Sequence, residues 1–171
     1  MYTPLELIEL LNKKNYNITV HQHDALFTVE DSRKLRGKID GAHSKNLFLK
    51  NKKNNFFLLS CEEADKINLK KISKSLELGN VSFAKEEYLE QYLKIKPGSV
   101  SPFALLNDDG FVNFYLEQTL YKSDFINFHP LINTFTVKIK TNRFIEFMIE
   151  NNKKIHIFSS ADGKVLKTYG K

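Results

Sequence analysis

Gly41-Ala-His-Ser-Lys-Asn-Leu-Phe-Leu-Lys50, then Asn51-Lys-Lys-Asn54, then Asn55-Phe-Phe-Leu-Leu-Ser-Cys61, is the stretch whose reading decides the fold. The first run alternates as a strand from about Ser44 to Lys50, and the polar run after it is a hairpin turn. The third run is a strand at about Asn55–Cys61 that is apolar on both faces, as a central strand covered on both sides should be. One residue breaks the pattern. A side-chain period of two puts Lys45 on the face of Leu47 and Leu49, where a cation must reach water, meet an anion or line a pocket. A lysine at the frayed start of the strand would simply reach solvent, and the alternation alone does not choose between these outcomes.

Working outward, Thr3-Pro-Leu-Glu6 opens a helix, with Thr3 as N-cap, Pro4 in the first turn and Glu6 closing a capping box. Leu7, Ile8, Leu10 and Leu11 supply its buried stripe up to about Lys14. Ile18–His23 reads as a strand, and Thr28 with Asp31 caps a short helix through about Arg36 that Gly37 stops. After the hairpin, Leu69, Ile72 and Leu76 form a helical stripe ended by Gly79. A short strand at Val81–Phe83 precedes a helix from about Lys85 to Leu93. Strands at about Val112–Leu116, Asp124–Asn127 and Thr134–Lys140 follow, the first two separated by a helical turn. Thr141 caps a last helix through about Glu150, and a hairpin of Lys154–Phe158 and Lys164–Thr168 turns at Asp162-Gly163. The pattern predicts an α/β fold, a mixed sheet wrapped by helices, in a single domain spanning residues 1–171.

Composition narrows the classes. The 14 phenylalanines and an ordinary apolar fraction indicate a globular chain with a real core. No apolar run approaches the length of a membrane span, and nothing after Met1 resembles a signal peptide, so a soluble cytoplasmic protein is expected. The single cysteine, Cys61, rules out an internal disulfide framework and reads as a buried thiol. The net charge of +6 permits a polyanionic partner. Most of the excess lies in residues 1–85. Lys50, Lys52 and Lys53 cluster at the hairpin turn, and Lys66, Lys70, Lys71 and Lys74 decorate the third helix. Two such clusters make a phosphate-backbone footprint or, as readily, two solvated faces.

Besides Lys45, two sequence-distant pieces are candidates for chemistry. Gly98-Ser-Val-Ser-Pro102 is restricted by prolines at both ends and can present N–H groups, from Gly98 and Ser99 for example, to a ligand oxygen. It is equally readable as a tight connection after a helix. His129 precedes a proline among apolar neighbours, the setting of a hydrogen-bonded core histidine or of a pocket residue. His43 is placed to line the same mouth as Lys45. His21 and His23 alternate on a strand, but no third ligand of fitting spacing follows, so no metal is expected. GxSxG, Walker, GxGxxG and HExxH motifs are all missing from the sequence.

Taken together, His-Ser-Lys-Asn-Leu-Phe-Leu-Lys (43–50), Pro-Gly-Ser-Val-Ser-Pro-Phe (97–103) with Leu-Leu-Asn-Asp (105–108), and Asn-Phe-His-Pro-Leu (127–131) resemble the YbaK/ProX family of trans-editing domains. The likeness covers nearly the whole chain, includes Phe27-Thr-Val-Glu30, and is nearest to the bacterial prolyl-tRNA deacylase branch. It implies a barrel-like mixed sheet surrounded by helices, and a cofactor-free hydrolase that cleaves Ala-tRNA(Pro) to alanine and tRNA(Pro). Cys-tRNA(Pro) is the alternative substrate within the family, and a non-catalytic tRNA- or synthetase-binding module the alternative outside it. By position, the resemblance assigns the essential lysine to Lys45, with Asn46 beside it. It assigns the aminoacyl-holding loop to Gly98, Ser99, Val100, Ser101 and Pro102, and a pocket histidine to His129. The implied partners are the acceptor end of mischarged tRNA(Pro) and, transiently, prolyl-tRNA synthetase, for a monomer or homodimer. Lys50, Lys52, Lys53, Lys70, Lys71 and Lys74 are the expected backbone contacts. Two departures, Ala104 where glycine is common and His23-Asp24-Ala25 in place of a proline-rich turn, bear on pocket shape rather than on reaction class.

Overall fold

Thr3 caps the first helix of the computed structural model as its sequence dictates: its hydroxyl accepts the Glu6 N–H at 3.2 Å, and the Glu6 carboxylate accepts the Thr3 N–H at 2.8 Å. The structure describes residues 1–36 and 38–171, and the side chains of Val29, Leu35 and Arg36 are not described. The expected helix stop at Gly37 therefore lies outside the described residues. Among the described residues, helices α1 (Pro4–Lys13), α2 (Val29–Arg36), α3 (Leu69–Ser75), α4 (Glu86–Tyr88), α5 (Gln118–Lys122) and α6 (Thr141–Glu150) are interspersed with nine strands. These are β1 (Thr19–Gln22), β2 (Ala42–Asn51), β3 (Phe56–Glu62), β4 (Val81–Phe83), β5 (Val112–Glu117), β6 (Phe125–Phe128), β7 (Phe135–Lys140), β8 (Ile155–Ser159) and β9 (Lys164–Tyr169).

Three local expectations are corrected. The first left-handed residue after α3 is Glu77, with φ of 56°, so the helix ends before Gly79. Helix α4 widens into a π-turn at Leu89–Leu93, closed by Lys94 in the left-handed conformation. Thr141 is the first residue of α6 rather than its cap, because its hydroxyl instead donates to the Ser123 carbonyl across to the end of α5.

The sheet runs β1-β7-β6-β2-β3-β5-β8-β9, with β4 attached to β2 off this path. It mixes antiparallel pairs such as β2–β3 with parallel pairs such as β3–β5 and β5–β8. The barrel-like expectation does not hold in its closed form. Strands β1 and β9 end the path unpaired with each other, and both are largely solvent-facing. Lys164 and Lys167 on β9 and His21 and Gln22 on β1 blunt these edges with polar side chains.

Strand β3 is buried from both sides, as its composition requires. Phe56 and Leu58 join a large core with Leu7, Leu11, Phe103, Phe114, Phe144 and Phe147, while Phe57, Leu59 and Cys61 join a smaller one with Leu49, Ile72 and Phe158. Each fully buried leucine or phenylalanine contributes about 1.5–3 kcal/mol. In the larger core, Phe103 packs edge-on against Phe128, Phe144 and Phe147, with ring centroids 5.8–6.0 Å apart. Phe103 opens the 3₁₀ turn Pro102–Asn107 and Phe128 ends β6, so this cluster locks two of the sequence motifs together.

Candidate active site

Strand β2 changes partner along one side. Opposite β3, Ala42 and His43 pair with β6, and Leu49 to Asn51 pair with β4, so residues 44–47 have no neighbouring strand on that side among the described residues. A strand with an open edge exposes both faces to the same space. A cleft of about 350 Å³ occupies this gap, and Lys45 and Asn46 both line it although they belong to opposite faces of the strand. Gly98, Val100, Glu63, Phe27 and His129 complete its walls. Behind it lies a recess of about 40 Å³ between His43, Ser44, Asn46, Asn127 and His129.

Lys45 sits well inside β2, partly buried, on the face of Leu47 and Leu49. Its ammonium donates to the Asp65 carbonyl. The frayed-end reading of this lysine is thereby excluded. Asn46 is oriented by its own relay: the Ser60 hydroxyl donates to its Oδ1 at 2.5 Å, and its Nδ2 donates to Ser44 Oγ at 3.2 Å, which in turn donates to the Asn127 carbonyl at 3.0 Å. The amide's second N–H is left for the cleft among the described residues.

Gly98 has φ of +85°, and a Cβ there would stand 3.1 Å from Asn133 Nδ2. Only glycine takes this backbone without strain. Ser99 N–H, expected to face a ligand, is instead directed to the Lys96 carbonyl at 3.2 Å, and Ser99 is buried. Ser101 is also buried and caps the 3₁₀ turn through the Phe103 N–H. Ser99, Ser101 and the buried Pro102 thus shape the loop from behind, and Gly98 and Val100 present it to the cleft.

His129 donates Nδ1–H to the Phe135 carbonyl at 2.8 Å, which leaves Nε2 as a bare acceptor. Burial holds its pKa below the usual histidine value, a direction that the Phe135 bond and the Glu63 carboxylate only partly offset. Burial likewise pushes the Cys61 thiol up to about 12, so this sulfur is no nucleophile near neutral pH. His23 is engaged by Thr136 and the Asp24 carbonyl, and no group of three or more metal-binding side chains gathers among the described residues.

Glu63 and Asn133 were not singled out in the sequence, and Asn127 was given no role although its motif was. Asn127 Nδ2 bridges the carbonyls of Asp40 and Ala42, pinning the entry of β2, and Asn133 donates to the Leu26 carbonyl while packing against Gly98. Asparagines at apolar positions of a hairpin were the available signal for the last two. The lysines are more distant. Lys52 and Lys53 are exposed at the far end of β2, six to eight residues beyond Lys45 and Asn46, or roughly 20–27 Å at the rise of a strand.

Residues 23–147 match the model of the aminoacyl-tRNA editing domain family, a span that contains every wall of the cleft. The chain belongs to this family. Among the relatives of this editing domain, the prolyl-tRNA synthetase associated domain-containing protein 1 of Xenopus laevis is 34% identical over 148 residues, covering 84% of this chain and 88% of that one. The prolyl-tRNA editing protein ProX of Acetoanaerobium sticklandii is 32% identical over 133 residues, covering 77% and 81%. A solved structure described as a candidate trans-editing enzyme for prolyl tRNA synthetase superposes with a TM-score of 0.68 at 14% identity, over 93% of this chain and 97% of that one. At that identity the superposition establishes the fold. Among the described residues no helix is long and apolar enough to cross a membrane.

Proposed function

We propose that this editing domain hydrolyses the ester of Ala-tRNA(Pro), releasing alanine and tRNA(Pro). The observation that carries this reading is the meeting of Lys45, Asn46, Gly98, Val100 and His129, from three distant segments, on one cleft. An aminoacyl ester is already activated, so the protein needs to position water and stabilise charge on the carbonyl oxygen. Water adds to the carbonyl carbon, negative charge builds on its oxygen, and the ribose oxygen leaves with a proton. The cleft offers two side-chain donors, the Lys45 ammonium and the Asn46 amide, beside the loop at Gly98 and Val100. It offers an acceptor as well, His129 Nε2, which suits the α-ammonium of an aminoacyl group.

Selectivity follows from size. The inner recess is small, about 40 Å³, and in this reading it admits the methyl of alanine more readily than the ring of proline. Excluding an oversized ring by a clash discriminates better than a missing methylene does. Association with prolyl-tRNA synthetase would place the domain where such errors arise.

Deacylation of Ala-, Cys- and Pro-tRNA(Pro), compared side by side with the wild type and Lys45→Ala, tests the assignment. Rapid hydrolysis of the alanyl ester, sparing of the prolyl ester and abolition by Lys45→Ala with the fold intact are expected. Preference for the cysteinyl ester would move the substrate, and binding without turnover on any ester would overturn the enzyme reading.

A further inference from the structure

Phe27 is 76% exposed, more so than Phe83 at 63% and Phe111 at 60%, and unlike them it borders the candidate site. Isolated apolar side chains on a surface need no explanation. This one is held. The Asp31 carboxylate accepts the N–H groups of Phe27 at 3.3 Å and Thr28 at 3.1 Å, and the Thr28 hydroxyl first, then these N–H groups, keep its pKa below the usual carboxylate range. The preceding carbonyl, of Leu26, is the acceptor for Asn133. The ring comes within 3.9 Å of where a Cβ on Gly98 would be, so it stands beside the loop that borders the cleft.

We infer that Phe27 is a stacking platform for the terminal base of the RNA whose ester enters the cleft. The inference rests on the proposed function, which puts the aminoacyl group in the cleft lined by Lys45, Asn46, Gly98 and His129. The esterified ribose then lies at the mouth, and its base must leave the cleft over the rim. A flat apolar ring at that rim offers every base a π-face without reading its edges. Substrates are thereby held by the nucleotide while the recess judges the amino acid, so the residue governs binding rather than the chemical step. Phe27 is a positioning residue in this reading.

The test uses the full chain and a tRNA(Pro) whose terminal adenine is replaced by 2-aminopurine, which loses fluorescence when stacked. Binding to the wild type should quench the probe, Phe27→Ala should abolish the quench, and Phe27→Trp should restore it. With Ala-tRNA(Pro), Phe27→Ala should raise KM roughly tenfold, within the range of one lost base–aromatic stack, and leave kcat within about twofold. Unchanged emission on wild-type binding, or an unaltered KM in Phe27→Ala, would overturn the inference. These outcomes separate it from the function beneath it. A wild type that turns over Ala-tRNA(Pro) with an indifferent Phe27 loses only the platform. A wild type that quenches the probe yet hydrolyses no ester keeps the platform and loses the deacylase.

Discussion

The imidazole of His129 reaches the cleft as an acceptor because the Phe135 carbonyl claims its other nitrogen. Protonation would turn Nε2 into a donor bearing charge, the wrong partner for a substrate ammonium or for water that must give up a proton. Burial resists that change by lowering the pKa from its ordinary 6.5. The sign follows: activity holds as pH falls to 6.5 and declines only below it, as the fraction of neutral imidazole is lost. A kcat/KM profile for Ala-tRNA(Pro) should show its acid limb below pH 6.5, and His129→Gln should lack that limb. An acid limb centred at or above 6.5 would mean that another group controls the rate. At this scale the sequence singled out His129 and Lys45 as candidates, but periodicity could not show which hydrogen bonds each makes. The tautomer depends on a carbonyl that only the folded β6–β7 loop brings near.

Turns carry the site more than regular elements do. Gly98 and Gly79 make a matched pair, with φ of +85° and +80°. An alanine at either position pays the same kind of left-handed strain, about 1–2 kcal/mol. They differ in surroundings. A Cβ at Gly98 meets Asn133 Nδ2 at 3.1 Å inside the cleft wall, whereas at Gly79 it meets the Asn51 side chain at an ordinary 3.7 Å, away from the cleft. Gly98→Ala should therefore lower stability by about 1–2 kcal/mol and also reduce kcat/KM at least tenfold, as the loop shifts off its wall. Gly79→Ala should show a similar stability loss in urea melts with wild-type deacylation. Equal kinetic effects from the two would show that the loop's shape is incidental. Most of these elements were legible beforehand: the Thr3 capping box, the doubly buried β3 and the terminal hairpin all follow from local pattern. What local pattern could not show is the gap beside β2. It arises because β4 and β6 take opposite ends of one strand, a pairing between segments 30 residues or more apart in the chain. That gap is also why Lys45 and Asn46, on alternate faces, serve one cleft.

At the scale of the molecule, the cleft and the lysine-rich turn lie at opposite ends of β2, and a bound RNA would have to span that length. The Asn51 side chain donates to the Leu78 carbonyl at 2.9 Å, so the turn bearing Lys52 and Lys53 is joined to the segment after α3, whose exposed Lys70, Lys71 and Lys74 extend the basic surface. Ions on exposed lysines contribute little to folding, and their contribution to binding is read from salt. Each phosphate neutralised adds roughly 0.7–0.9 to the slope of log affinity against log salt concentration. If the turn grips the acceptor stem while the 3′ end sits in the cleft, the double variant Lys52→Ala with Lys53→Ala should flatten that slope by roughly 1.4–1.8 for tRNA(Pro). The same variant should bind a short single-stranded 3′ end, too short to reach the turn, with an unaltered slope. A tRNA slope identical in wild type and variant would instead make this turn a solvated face, leaving the stem to cross the domain by another route.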